Sequence, residues 1–391
     1  MPIFSRLGVV ALLFVAVPTQ AQPKPEPAFD QAALADRIVG KVANVKEGEI
    51  VHLLGPPSDL VLLEEMVVAV RKRGAFAILT VGTESLRKKL IATPEKYDVQ
   101  TNAAALALAK LINVRIALPI VRDPTLLATV PSERLAKWNK ADSAVDLILE
   151  KRNVRIVELG NGLLPTAQRA KELGLSQPEL TKLFWDGVSA DYSALETKAR
   201  TVRDQLAKGG ELRITHPNGT DLRMVIRGRK VFVSDGTISD ADRKAGGPAV
   251  LVWLPACEIF VSPVPGSAEG KIVDDRFVSE GKEVTGMTVD VKGGKIASIG
   301  AKSGWDLAKS RYEAAGPRKA EIGVFDIGCN TAIKSGGKLE TYIGAGMVTI
   351  GAGNNTWAGG TNKEPHSTTF QLAGTTVTLD GKPIVENGAL K

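Results

Sequence analysis

The 391-residue chain is poor in the residues that most often carry chemistry: two cysteines, three histidines and only 5% aromatics. Imidazole chemistry therefore has few candidates. Cys257 and Cys329 are the whole thiol inventory, either free and buried or joined in a bridge. No segment after the first 21 residues is apolar for long enough to span a bilayer. The net charge of +7 comes without runs of like charge or basic–aromatic interleaving, which argues against nucleic acid and for a solvated surface. Neither a G-x-G-x-x-G nor a P-loop pattern is present. Gly55-Pro56-Pro57 and Gly160-Asn161-Gly162 follow apolar runs and read as plain strand-to-helix turns.

What is present begins with an export signal. Arg6 precedes an apolar run from Leu7 to Val17, Pro18 breaks it, and Thr19-Gln20-Ala21 supplies small residues for cleavage. Residues 1–21 thus read as a signal peptide and 22–28 as a proline- and lysine-rich tether. The expected destination is outside the cytoplasm, periplasmic or secreted, with no membrane span after cleavage.

The rest divides by texture. Residues 29–208 alternate β-like runs (Ile50–Leu54, Ala75–Val81, Val114–Val121, Val154–Leu159) with helical stretches, as in a doubly wound parallel α/β sheet. Residues 209–391 are rich in Gly, Thr and Val, with short alternating runs and the turn signals Asn218-Gly219 and Asp380-Gly381. This second part reads as a glycine-rich, mainly-β domain with one helix near Trp305–Ala315 and the functional site. His52, inside an apolar strand, reads as a core residue satisfied by a backbone partner. His216 has no acidic partner near it in sequence. His366 lies in a polar loop just before a strand, where functional side chains are commonly displayed. Glu258 and Glu321 border apolar runs, and a carboxylate buried there needs a partner or a metal.

Four stretches, in this order, carry a resemblance: LRITHPNGTDLRM, LPACEIFVSP, AEIGVFDIGCN and GMVTIGAGNNTWAGGTNKEPHSTTF. Together they resemble the aminopeptidase T and aminopeptidase S type metallopeptidases, the thermophilic metalloproteases. The resemblance implies a peptide substrate with a free amino end and divalent ions (zinc, cobalt or manganese) that activate water. It implies Glu258, Glu321 and His366 as metal ligands, a carboxylate doubling as general base, and a possible homodimer. It also brings Cys257 and Cys329 close to the site, where a disulfide would brace it.

The sequence departs from the family where ligands are expected. Thr349 stands at the position of a histidine, Thr368 at that of an aspartate and Thr356 at that of a tyrosine. Threonine hydroxyls are poor ligands for transition metals. The remaining set suits one ion or none, with Asp326, Glu340 or Glu364 as spare carboxylates. Two readings follow: an exported metal-dependent aminopeptidase-like hydrolase, or a non-catalytic descendant kept as a binding scaffold. A related architecture, that of the 2,5-dihydroxypyridine dioxygenases, uses two histidines and an aspartate on iron. Only His366 is available here for such a triad.

Overall fold

The apolar runs of the first half pair into one parallel sheet. In the computed structural model, which describes residues 30–123, 125–190, 192–333 and 338–391, these are β1 (Ile50–Gly55), β2 (Phe76–Val81), β3 (Val114–Ala117) and β4 (Arg155–Leu159). The expected signal peptide and tether lie outside the described residues. The inner strands β1, β3 and β4 are covered on both faces, which explains their near-continuous apolar runs, whereas the edge strand β2 leaves Phe76, Leu79 and Val81 exposed. Val51 and Leu53 pack with Leu63 and Met66 on one face, while Ile50 and Ile156 meet Ala109 and Leu149 on the other. Helix Leu60–Lys72 buries Leu62, Leu63, Met66, Ala69 and Val70, a stripe at helical spacing. It stops at Arg73 and Gly74, and Gly74 takes φ +69°, as a glycine just past a helix end commonly does.

The second half supplies β5 (Glu211–Thr215), β6 (Asp221–Val225), β7 (Val231–Ser234), β8 (Leu251–Leu254), β9 (Glu258–Val261), β10 (Glu269–Ser279), β11 (Lys282–Lys292) and β12 (Lys295–Gly300). Then come β13 (Ile322–Gly328), β14 (Val348–Gly353), β15 (Ser367–Leu372), β16 (Thr376–Leu379), β17 (Lys382–Glu386) and β18 (Ala389–Leu390). An eight-stranded sheet runs β12-β11-β10-β6-β5-β16-β17-β18, and a five-stranded antiparallel sheet runs β15-β14-β13-β9-β7. The Asp380-Gly381 signal makes a two-residue hairpin between Leu379 and Lys382, both turn residues at positive φ.

Two sequence expectations need correction. The apolar run ending at Leu254 is not part of the β-rich half: β8 completes the parallel sheet, in the order β2-β1-β3-β4-β8. An apolar strand announces burial but not its neighbour, so its text could not assign it. His52 is buried as expected, but its Nε2 lies 2.9 Å from the Thr80 hydroxyl, not a backbone group. Burial and the nearby Arg115 push its pKa down to about 4, so it is a neutral core residue.

Candidate active site

Only three residues separate β8 from β9. The chain leaves the parallel sheet at Leu254, passes Pro255, Ala256 and Cys257, and enters the antiparallel sheet at Glu258. This passage is held firmly. Cys257 is disulfide-bonded to Cys329, the Ala256 N–H donates to the Tyr192 hydroxyl (3.2 Å), and the Asn330 amide donates to the Ala256 carbonyl (3.0 Å). Of the two states the sequence leaves open for these cysteines, free or bridged, the bridge is the one present.

A cavity of about 640 Å³ opens where the two sheets meet. Its floor follows from strand register. In antiparallel ladders, directly paired residues project to the same face. Asp326 on β13 pairs with Thr349 on β14 and with Phe260 on β9, and Gly328 pairs with Glu258. Val324 pairs with Gly351, which pairs with Thr369 on β15. Glu258, Asp326, Thr349, Val324 and Thr369 thus share one face, and all line the cavity. Trp253, Trp357 and Phe260 form an aromatic cluster beside it, with ring centroids 5.3–6.0 Å apart. Asp146, Glu150 and Glu158 line its open side.

The two floor carboxyls are 5% and 4% exposed, and no cationic side chain pairs with either among the described residues. Burial pushes the Glu258 carboxyl up to about 7, against a hydrogen bond from the Asn161 side chain. Burial also raises Asp326 well above the usual carboxylate range, and the Glu258 charge adds to the effect. Like charges this close favour a state in which the pair retains a proton. One Asp326 oxygen (Oδ1) and the Thr349 hydroxyl are buried without a hydrogen-bond partner among the described residues. Tyr342, its hydroxyl 3.1 Å from that of Thr369, completes the floor, and burial raises its pKa.

Of the three expected ligands, only Glu258 is in this cavity. Glu321 precedes β13 while Glu258 lies across from its last residue, Gly328. Seven residues of strand, roughly 20 Å, therefore separate them. The Glu321 carboxylate is held instead by the Arg318 guanidinium (2.7–3.1 Å) and the Asn362 amide (3.2 Å). Thr368 pairs with Ala352, on the face opposite Thr369. His366 points to the Thr368 hydroxyl (3.1 Å) and packs edge-on against Tyr312. The expected set of Glu258, Glu321 and His366 does not converge. Strand periodicity explains both displacements, because a shift of one residue turns a side chain to the other face. Of the spare carboxylates, Asp326 joins Glu258, whereas Glu364 accepts from the Gly316 and Arg318 N–H groups and Glu340 faces Arg276. Thr349 and Thr356 do line the cavity, so the departures from the family at those positions fall on the site.

The sequence reading missed Asn161. It sits between two glycines at the carboxyl end of β4, with φ +35°, and donates to the Pro255 carbonyl at 2.9 Å. A polar residue between two glycines directly after an apolar strand, at the end where open α/β sheets bind ligands, was the signal available in the sequence.

The donors facing the cavity do not fit a two-ion transition-metal centre. On the floor they are two carboxylates, threonine and tyrosine hydroxyls and an amide, with three more carboxylates, Asp146, Glu150 and Glu158, at the open side. No three His, Cys, Asp or Glu side chains gather into a metal-holding group among the described residues. Zinc and cobalt centres draw on imidazole or thiolate, and none faces this floor.

Comparison with solved structures shows the same fold elsewhere. Wild-type AmpT from Thermus thermophilus superposes with a TM-score of 0.70 at 18% identity, covering 92% of this chain and 98% of that one. The 2,5-dihydroxypyridine dioxygenase of Pseudomonas putida KT2440 gives 0.57 at 14% identity, covering 92% and 96%. No curated protein sequence matches. The family model for thermophilic metalloproteases of the M29 class matches residues 30–315. That span includes Glu258 and ends before β13, β14 and β15. The chain therefore belongs to the thermophilic metalloproteases, a family of metal-dependent peptide hydrolases.

Proposed function

We propose that the chain is an exported aminopeptidase-like hydrolase that cleaves peptides from their free amino end in the cavity floored by Glu258 and Asp326. The observation that carries this reading is the pair itself: two buried carboxyls on one sheet face, opening into a cavity of substrate size. A pair that retains one proton holds an acid and a base side by side. The ionised carboxylate takes a proton from water as its oxygen attacks the scissile carbonyl carbon. The protonated partner gives its proton to the carbonyl oxygen. Collapse of that adduct breaks the C–N bond, and the leaving nitrogen takes a proton from the pair. Export rests on residues 1–21 and is supported by the Cys257–Cys329 bridge, since disulfides persist in oxidising compartments.

A second reading is favoured by the failure of Glu258, Glu321 and His366 to converge: a binding protein that keeps the scaffold without turnover. One experiment separates the two. Purified chain is incubated with dipeptides bearing free or acetylated amino ends, and released amino acid is measured. Hydrolysis of the free-ended peptides alone, lost in Glu258→Gln and Asp326→Asn, supports the hydrolase. Saturable binding with no release overturns it in favour of the second reading. Light scattering on the same sample tests the expected homodimer.

A further inference from the structure

The cavity has the wrong charge for this chain. The protein is net positive, with 50 Lys and Arg against 43 Asp and Glu. Yet five carboxyl groups line the cavity, the proton-sharing pair Glu258 and Asp326 at the floor and Asp146, Glu150 and Glu158 at the open side, and no Lys, Arg or His is among its described lining. Burial raises the Asp146 and Glu158 carboxyls and the charge of Arg115, which does not line the cavity, works against that rise. Lys363 adjoins Asp146 and Glu150 in a neighbouring depression, where Asp142 and Glu364 also lie, so acids outnumber cations at the open side.

The second observation is the pair of orphaned atoms. Asp326 Oδ1 and the Thr349 hydroxyl are buried, line the cavity and have no partner among the described residues. A buried acceptor without a donor costs about 1–3 kcal/mol, so the floor is built for a group that donates. An ammonium brings three donors and a positive charge and accepts nothing. The rest of the lining agrees, since it includes Trp253 and Trp357, and indole faces attract cations.

We infer that the cavity takes a doubly cationic ligand, a peptide whose first residue is lysine or arginine. Its α-ammonium sits beside Glu258, Asp326 and Thr349, and its side-chain cation lies among Asp146, Glu150 and Glu158. Naming a peptide rests on the hydrolase reading; the dicationic chemistry does not.

The test is calorimetric binding to the full mature chain at neutral pH, with ligands that have no peptide bond to cleave. Lysinamide is compared with norleucinamide, which lacks the side-chain charge, with Nα-acetyl-lysinamide, which lacks the α-ammonium, and with 1,5-diaminopentane. Lysinamide is expected to bind at least tenfold more tightly than either singly charged ligand, with an affinity that falls as salt is raised. In the Asp146→Asn/Glu158→Gln variant the preference over norleucinamide shrinks several-fold, while norleucinamide binding is unchanged. Equal affinity for lysinamide and norleucinamide, or a preference untouched by that variant, overturns the inference. Diaminopentane binding as tightly as lysinamide keeps the dication and removes the peptide. Lysinamide binding with no peptide hydrolysis defeats the hydrolase alone. Hydrolysis without a basic preference defeats this inference alone.

Discussion

Glu258 and Asp326 project from the same face of neighbouring strands, Glu258 across the ladder from Gly328 and Asp326 two residues back along β13. Both are buried, and among the described residues no cationic side chain pairs with either. The strongest expectations for this protein follow from that placement.

The first concerns activity. Glu258→Gln and Asp326→Asn should each lower peptide hydrolysis by about 10²–10⁴-fold, the usual contribution of a positioned acid or base. Glu321→Gln and His366→Ala should leave it within a few-fold, because one side chain is engaged by Arg318 and the other faces Thr368 and Tyr312. Steady-state rates on a free-ended dipeptide decide the matter. The reverse ranking would restore the ligand set expected from the motifs.

Stability should depend on pH with a definite sign. Burial raises Glu258 from 4.5 to about 7. Between those values the folded protein keeps a proton that the unfolded chain has released, so stability falls as pH rises through that window. Asp326, also raised, works in the same direction. The loss belongs to the Glu258 and Asp326 pair as a unit, since the two titrate together. Thermal melts from pH 5 to 8 should show Tm falling in the wild type and a flatter profile in Glu258→Gln. A wild-type Tm that rises over this range would contradict the burial of the pair.

The disulfide should matter to both fold and site. It closes a loop with a sequence separation of 72, for which a chain-entropy estimate gives about 4 kcal/mol. Cys257→Ala/Cys329→Ala should therefore lower unfolding stability by about 2–4 kcal/mol in urea titration, and reduce hydrolysis because Glu258 adjoins the bridge. Mass measurement before and after reduction should show two hydrogens gained by the exported protein and none by the variant.

Metal binding offers a gain-of-function test. Thr349 is the register partner of Asp326 and shares the face of Glu258. Thr349→His would complete one imidazole and two carboxylates around one point, the protein ligands of a mononuclear zinc site. The purified variant should carry close to one equivalent of zinc by elemental analysis, and the wild type far less. Equal metal content in both would mean the floor already holds an ion without imidazole.

How far the sequence could be read depended on which pattern carried the information. Alternating apolar runs and helical stripes marked the parallel sheet and its helices, because burial of both faces leaves its mark on the inner strands, although the equally apolar β2 sits exposed at the edge. Partner choice leaves no such mark, so β8 was read with the β-rich half although it completes the first sheet. At the site, Glu258 was legible as a carboxylate inside an apolar run. Asp326 has the same character but stood only among three spare carboxylates. Glu321 and His366 fit the motifs by spacing, yet β-structure sorts residues by parity as well as distance. The bulge between Ile322 and Val324 further detaches Glu321 from the strand's alternation. Asn161 was hidden because its role depends on Pro255, 94 residues away.

The three-residue passage from Leu254 to Glu258 also bears on how the cavity handles substrates of different size. Pinned by a covalent bridge, by Tyr192 and by Asn330, it is a rivet between the two sheets. A wide hinge motion would have to tear it, so the aperture at this end keeps its width. Ligands are then sorted by what fits among the indoles of Trp253 and Trp357 and the carboxyl groups that line the same cavity. Selection by a fixed gauge should appear in kinetics as fast, single-step binding without a slow closing phase.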